Sequence, residues 1–152
     1  MKKWMTLILA SAITLSLVGC QEKTQTNQPV GEQIPLEKVY TNSVDRYQLT
    51  LPTAWTEVKI VEDGRSTDFI FPSEQPDANQ SIMRIVAMTE EEWKAVEAEG
   101  GPAMEQFKEI TQRDGSRYFY LTPLDQILSG DELAEYEVMV QQIPMVIASF
   151  QF

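Results

Sequence analysis

The side chains in this chain that could move a proton or attack a bond are carboxylates, lysines and tyrosines. Among 152 residues there are 23 Asp and Glu, no His, and a single Cys at position 20. Without His, every His-based triad, general base and metal ligand is excluded. One Cys excludes an intrachain disulfide and any CxxC or cysteine-rich zinc site. Two-carboxylate glycoside hydrolysis is left, and it needs an acid pair about 5–5.5 Å or 6.5–9.5 Å apart across a cleft. Asp68, Asp77, Glu109 and Asp125 are candidates that spacing alone does not rank, and solvated surface charge is the commoner role of such residues. No S-x-x-K or G-x-S-x-G occurs. Calcium is the metal best suited to oxygen ligands. The stretches Glu74-Gln75-Pro76-Asp77 and Asp131-Glu132-x-x-Glu135 lack the EF-hand ligand order, and charge at a helix start accounts better for Asp131 and Glu132. No catalytic residue, metal ligand or cofactor is therefore assigned.

Aromatic residues offer binding rather than reaction chemistry. Tyr118 and Tyr120 share one face of a strand, with Phe119 on the other. If helices cover only the opposite face, Tyr118 and Tyr120 form a candidate binding surface for a sugar chain or a protein. The strong acidity, net −11, excludes nucleic acid as a partner, because phosphate binding needs clustered Lys and Arg.

The single Cys belongs to an address. Lys2 and Lys3 precede sixteen uncharged, mostly apolar residues, WMTLILASAITLSLVG. That run is short for a spanning helix, which needs about 20 residues, and reads as a secretory signal. Its end, Leu17-Val18-Gly19-Cys20, resembles the lipobox of bacterial lipoproteins. The resemblance implies a diacylglycerol on the Cys20 thiol, cleavage before Cys20 and further acylation such as palmitate. Each buried CH₂ of an acyl chain contributes about 0.8 kcal/mol, so two or more chains hold a protein stably on a membrane. The expected location is the extracytoplasmic face of a cell membrane. Without Lys2 and Lys3, residues 20–152 keep 10 basic against 23 acidic side chains, a net charge of −13. Anionic headgroups repel such a surface, so acyl chains would have to do the anchoring.

Three segments follow from this reading: a signal peptide at 1–19, a lipidated Cys20 with a flexible tether to 43, and one domain at 44–152. The tether is polar, carries Pro29, Gly31 and Pro35, and lacks sustained periodicity. Its root-mean-square span is about 25–30 Å for a flexible coil, and its last residues could dock as a short extended segment. Tyr47, Leu49 and Leu51 alternate with polar residues as a half-buried strand that Pro52 ends. WTEVKIV then runs into Asp63-Gly64, a signal for a type I′ hairpin. That turn would oppose Glu62 to Arg65, Ile60 to Thr67, Lys59 to Asp68 and Val58 to Phe69, with Val58, Ile60, Phe69 and Phe71 on one face. Residues 72–80 read as a loop and SIMRIVAM as a central strand. Thr89 and Glu92 form a capping box, and Trp93 and Val96 face inward on the helix it opens, which Gly100-Gly101-Pro102 ends. Asp114-Gly115 predicts a second hairpin, with Ile110 opposite Phe119 and Glu109 opposite Tyr120. Ser129-Gly130-Asp131 opens a final helix with an apolar stripe from Tyr136 to Phe150 and a kink or cap at Pro144, its last three residues being extended.

Hairpin-built antiparallel strands with segregated helices predict an α+β fold, an antiparallel sheet with helices packed on it. Tyr47-x-Leu49-x-Leu51-Pro52-x-x-Trp55, together with Ser149-Phe150, resembles the PsbP-like α/β/α sandwich over roughly 44–152. That resemblance implies a binding or assembly role rather than catalysis and transfers no site residue. The expected function is a lipid-anchored, non-catalytic binding or accessory module whose partner is an envelope protein or a small ligand. The alternative is a carboxylate-dependent hydrolase acting on cell-envelope polymers.

Overall fold

The computed structural model describes residues 36–75, 78–100 and 107–152, all within the compact unit Gln33–Phe152. The signal segment, the lipobox Leu17-Val18-Gly19-Cys20, the tether up to residue 35, Asp77 and Gly101-Pro102 lie outside the described residues. The described chain is α+β. Its strands are β1 (Leu36–Thr41), β2 (Gln48–Pro52), β3 (Lys59–Asp63), β4 (Ser66–Ile70), β5 (Ser81–Thr89), β6 (Phe107–Arg113) and β7 (Ser116–Leu121). Its helices are α1 (Glu90–Ala98) and α2 (Gly130–Ala148). β1 and β2 form a two-stranded sheet, and the other strands form a five-stranded sheet in the order β3-β4-β5-β7-β6. Every pairing is antiparallel.

The apolar alternation of β2 decides where the core sits. Tyr47, Leu49 and Leu51 are buried with Trp55, Phe69, Ile85 and Val146 in one cluster beneath α2. The opposite face of the large sheet carries a second, smaller cluster. There Trp93 of α1 stacks on Phe119 at 4.5 Å, and the Phe107 ring meets Phe119 edge-on at 5.8 Å. Tyr118 and Phe119 are neighbours on one strand and point to opposite faces, so α2 and α1 cover opposite sides of the sheet. The capping box at α1 is complete. The Thr89 hydroxyl accepts the Glu92 N–H at 3.2 Å, and the Glu92 carboxylate accepts the Thr89 N–H at 2.7 Å.

Three expectations need correction. First, the last residues of the stretch 20–43 do dock as an extended segment, β1, which pairs along β2 from Leu36 to Thr41, so folded structure begins before the expected domain start at 44. β1 escapes the strand pattern because its pairing partner, not its own alternation, orders it. The loop after it is held by Asn42, which is buried and accepts the N–H groups of Val44 and Asp45 at 3.0 and 2.6 Å.

Second, the first hairpin turns on Gly64-Arg65 rather than Asp63-Gly64. Asp63 pairs Ser66, Glu62 pairs Thr67, Ile60 pairs Phe69 and Lys59 pairs Ile70. Only Gly64 of this turn has a positive φ, +57°, which fits a turn with glycine at its first central position. The slip amounts to one residue on each strand, so the apolar face survives with Ile60 directly opposite Phe69. Asp68 faces Val61 instead of Lys59, and its carboxylate accepts from Arg84 Nη2 at 2.6 Å on the neighbouring strand.

Third, the second hairpin does turn on Asp114-Gly115, with φ of +51° and +75°, the pattern of type I′. A bulge between Glu109 and Thr111 then shifts the register, so Glu109 faces Phe119 and Lys108 faces Tyr120. A bulge leaves one residue unpaired, here Ile110, and no turn signal encodes it.

Candidate functional site

Tyr118 and Tyr120 share a sheet face, but the chain covers only one of them. The segment after α2 folds back, and Gln151 exchanges two backbone hydrogen bonds with Gln48, at 2.7 and 3.1 Å. This lays Phe150 and Phe152 over Tyr118, with ring centroids 5.7 and 5.2 Å away. Tyr118 is only 4% exposed, and its hydroxyl donates to Asp45 Oδ1 at 3.3 Å. Burial is the main cause raising its pKa above the usual tyrosine value. It is therefore core, and the expected two-tyrosine surface does not form.

Tyr120 is half-buried and lines an open cleft of about 390 Å³ between the β6–β7 edge and α2. The bulge-shifted register brings Lys108 directly opposite Tyr120, with Nζ 5.6 Å from the ring centroid, within reach of a cation–π contact. The far wall is a stripe of α2, Tyr136, Val140, Ile143 and Pro144, spaced so that all four share one helix face. The rim is the β7–α2 connection, which supplies Thr122, Pro123 and Gln126.

That connection is positioned by a buried amide. Gln80, 4% exposed, donates through Nε2 to the Asp125 carbonyl at 3.1 Å, and its Oε1 accepts the Ile127 N–H at 3.0 Å. The Tyr136 hydroxyl donates to the Ser81 carbonyl at 3.1 Å, tying α2 to the same place, and burial raises its pKa. Gln126 Nε2 donates to the Leu128 carbonyl at 2.6 Å, and Leu128 is buried. With its backbone held inside, the connection presents Leu124 and Ile127 outward, 77% and 61% exposed. Sequence reasoning passed over both Lys108 and Gln80. Lys108 carried no pattern until the bulge set its partner, and Gln80 sat in a segment of loop composition.

Among the candidate acids, Asp68 and Glu109 do not converge. Asp68 on β4 binds Arg84 and receives the Ser81 hydroxyl at 2.6 Å. Glu109 on β6 accepts from Gln112 at 2.8 Å and lies 3.6 Å from Arg117. Strands β4 and β6 stand three strand spacings apart, about 14 Å, wider than either hydrolytic geometry allows. Asp125 is exposed in the connection. Glu132, read as helix-start charge, does lie in the first turn of α2, and it also accepts the Glu74 N–H at 2.8 Å, the Ser73 hydroxyl at 2.9 Å and the Gln75 amide at 2.8 Å. These bonds, the Glu74 N–H foremost, hold its carboxyl below the usual range. Among the described residues no three Asp, Glu or Cys side chains gather to hold a metal ion, and no helix is long and apolar enough to cross a membrane.

No family model, curated protein or solved structure matches this chain.

Proposed function

We propose that this protein is a lipid-anchored extracytoplasmic lipoprotein whose α+β domain serves as a non-catalytic binding or accessory module. Its location rests on the sequence Leu17-Val18-Gly19-Cys20 behind a short charged head and an apolar core. The observation that carries the binding role is the cleft at Tyr120 and Lys108. It has the size of small-ligand sites, which start near 300 Å³, and its lining mixes apolar surface with a few polar groups. The PsbP-like resemblance of the 44–152 segment agrees with such a role. Leu124 and Ile127 beside the cleft add apolar surface that a protein partner in the envelope could cover.

Crosslinking and pull-down of the full chain from its native membrane tests this reading, with Cys20→Ser as the control. The expected result is palmitate incorporation and membrane recovery for the wild type, both lost in Cys20→Ser, with one recurrent partner captured only by the anchored form. Equal membrane recovery of the two forms would overturn the anchor. Turnover of an envelope polysaccharide by the purified chain would overturn the non-catalytic assignment.

A further inference from the structure

We propose that the cleft between α2 and the β6–β7 edge takes a small, mostly apolar monocarboxylate. The inference deepens the binding reading above and rests on it. Charge is the first argument. The chain has 23 acidic against 12 basic residues, yet among the described residues the lining of this cleft holds one cation, Lys108, and no Asp or Glu. The cleft of about 300 Å³ beside α1 differs, since Asp63 and Glu92 line it with Arg65. Arg65, Arg84, Arg113 and Arg117 all face carboxylates within 3.6 Å. Lys108 forms no ion pair among the described residues, and its ammonium stands by the Tyr120 ring. A ligand carboxylate placed there gains a charge-assisted hydrogen bond without displacing an internal partner.

Apolar surface is the second argument. Pro123 and the Tyr120 ring face the Val140–Ile143–Pro144 stripe across the cleft, so the ligand body is flat or aliphatic. The third argument is a backbone acceptor. Pro144 lies inside α2 and has no N–H, which leaves the Val140 carbonyl without its usual in-helix donor. Both residues line the cleft. A ligand bearing one N–H or O–H a few bonds from its carboxylate matches all three features.

The test uses N-trifluoroacetyl-phenylalanine and its neutral carboxamide as fluorine NMR probes. The full chain is held in phosphatidylcholine nanodiscs, and empty discs are subtracted. The acid is expected to broaden in the presence of protein and the carboxamide to bind at least fivefold more weakly. Lys108→Gln should weaken the acid about tenfold and leave the carboxamide unchanged, and Tyr120→Leu should weaken both. Lys94→Gln, exposed on the far side of the sheet, should change neither. Equal binding of acid and carboxamide, an unaltered Lys108→Gln, or no broadening above empty discs would each overturn the proposal. If the pull-down still yields a Cys20-dependent partner, that failure falls on the cleft alone and not on the accessory role.

Discussion

The side chain of Gln80 reaches 47 residues along the chain to accept the backbone N–H of Ile127 at 3.0 Å. Its nitrogen also donates to the Asp125 carbonyl at 3.1 Å. One buried amide thus satisfies two main-chain groups of the β7–α2 connection and sets the rim of the cleft. Gln80→Leu fills similar volume and leaves both groups unpaired. Orphaning a buried polar group costs about 1–3 kcal/mol, so the variant should lose about 2 kcal/mol in urea unfolding. Amide exchange at Ile127 should accelerate well beyond that of β2. Unchanged exchange at Ile127 would mean that the connection holds its shape without the amide.

Glu62 joins the β1–β2 loop to the edge strand β3. Its carboxylate accepts from the Ser43 hydroxyl, the Ser43 N–H and the Tyr40 hydroxyl. The Ser43 hydroxyl bond is the largest cause holding its pKa below the usual carboxylate range. A carboxyl whose pKa falls on folding adds stability above its unfolded value, and that stability disappears as pH drops through the lowered folded value. Wild type should therefore unfold at higher urea than Glu62→Gln at pH 7. The gap should start to narrow below about pH 4.3, the usual glutamate value, and close further into the acid. The site is exposed, so the effect is small and salt weakens it. Paired urea curves at pH 7 and pH 3 give the sign, and a gap that widens in acid would contradict the assignment.

Trp93 fastens α1 to the sheet through its stack on Phe119. Its indole nitrogen is buried without a hydrogen-bond partner. Trp93→Ala should cost about 3 kcal/mol, the lower end for truncating a buried large aromatic. Trp93→Phe keeps a ring and removes an unpaired N–H, so its cost should stay below about 1 kcal/mol. Amide exchange distinguishes local from global loss. In Trp93→Ala the amides of α1 should open first, because the core around Leu49 and Trp55 lies on the other sheet face.

Local rules were legible where local physics decides. The alternation of Tyr47, Leu49 and Leu51, the Thr89–Glu92 box and the apolar stripe of α2 each need only neighbouring residues. The central place of β5 followed from its run of apolar residues, because a strand covered on both faces has little solvated surface. Misreadings arose where a distant partner decides. β1 is a strand because β2 offers its edge. The first turn centres on Gly64-Arg65, where its one positive φ falls on glycine. Ile110 is bulged, and that bulge places Lys108 against Tyr120. Tyr118 and Tyr120 look alike in sequence, and only the returning segment at Gln151 tells core from cleft. Gln80 reads as one more polar loop residue until its acceptor and its donor are seen 45 and 47 residues away.

Pro144 departs from local consistency inside an otherwise regular 19-residue helix. Proline in a helix interior costs roughly 3 kcal/mol relative to alanine, because it removes one hydrogen bond and clashes with the preceding turn. The residue is exposed, so replacing it uncovers little core. Natural chains depart from local rules most often at sites that do something other than fold. Pro144→Ala should therefore raise the urea midpoint, by about 1–3 kcal/mol of stability. It should also give the Val140 carbonyl its N–H donor back and weaken acid binding in the cleft. Stability and binding moving in opposite directions would tie the proline to the cleft. A gain in stability with binding unchanged would show that the Val140 carbonyl plays no part in recognition and leave Lys108 and Tyr120 to hold the ligand.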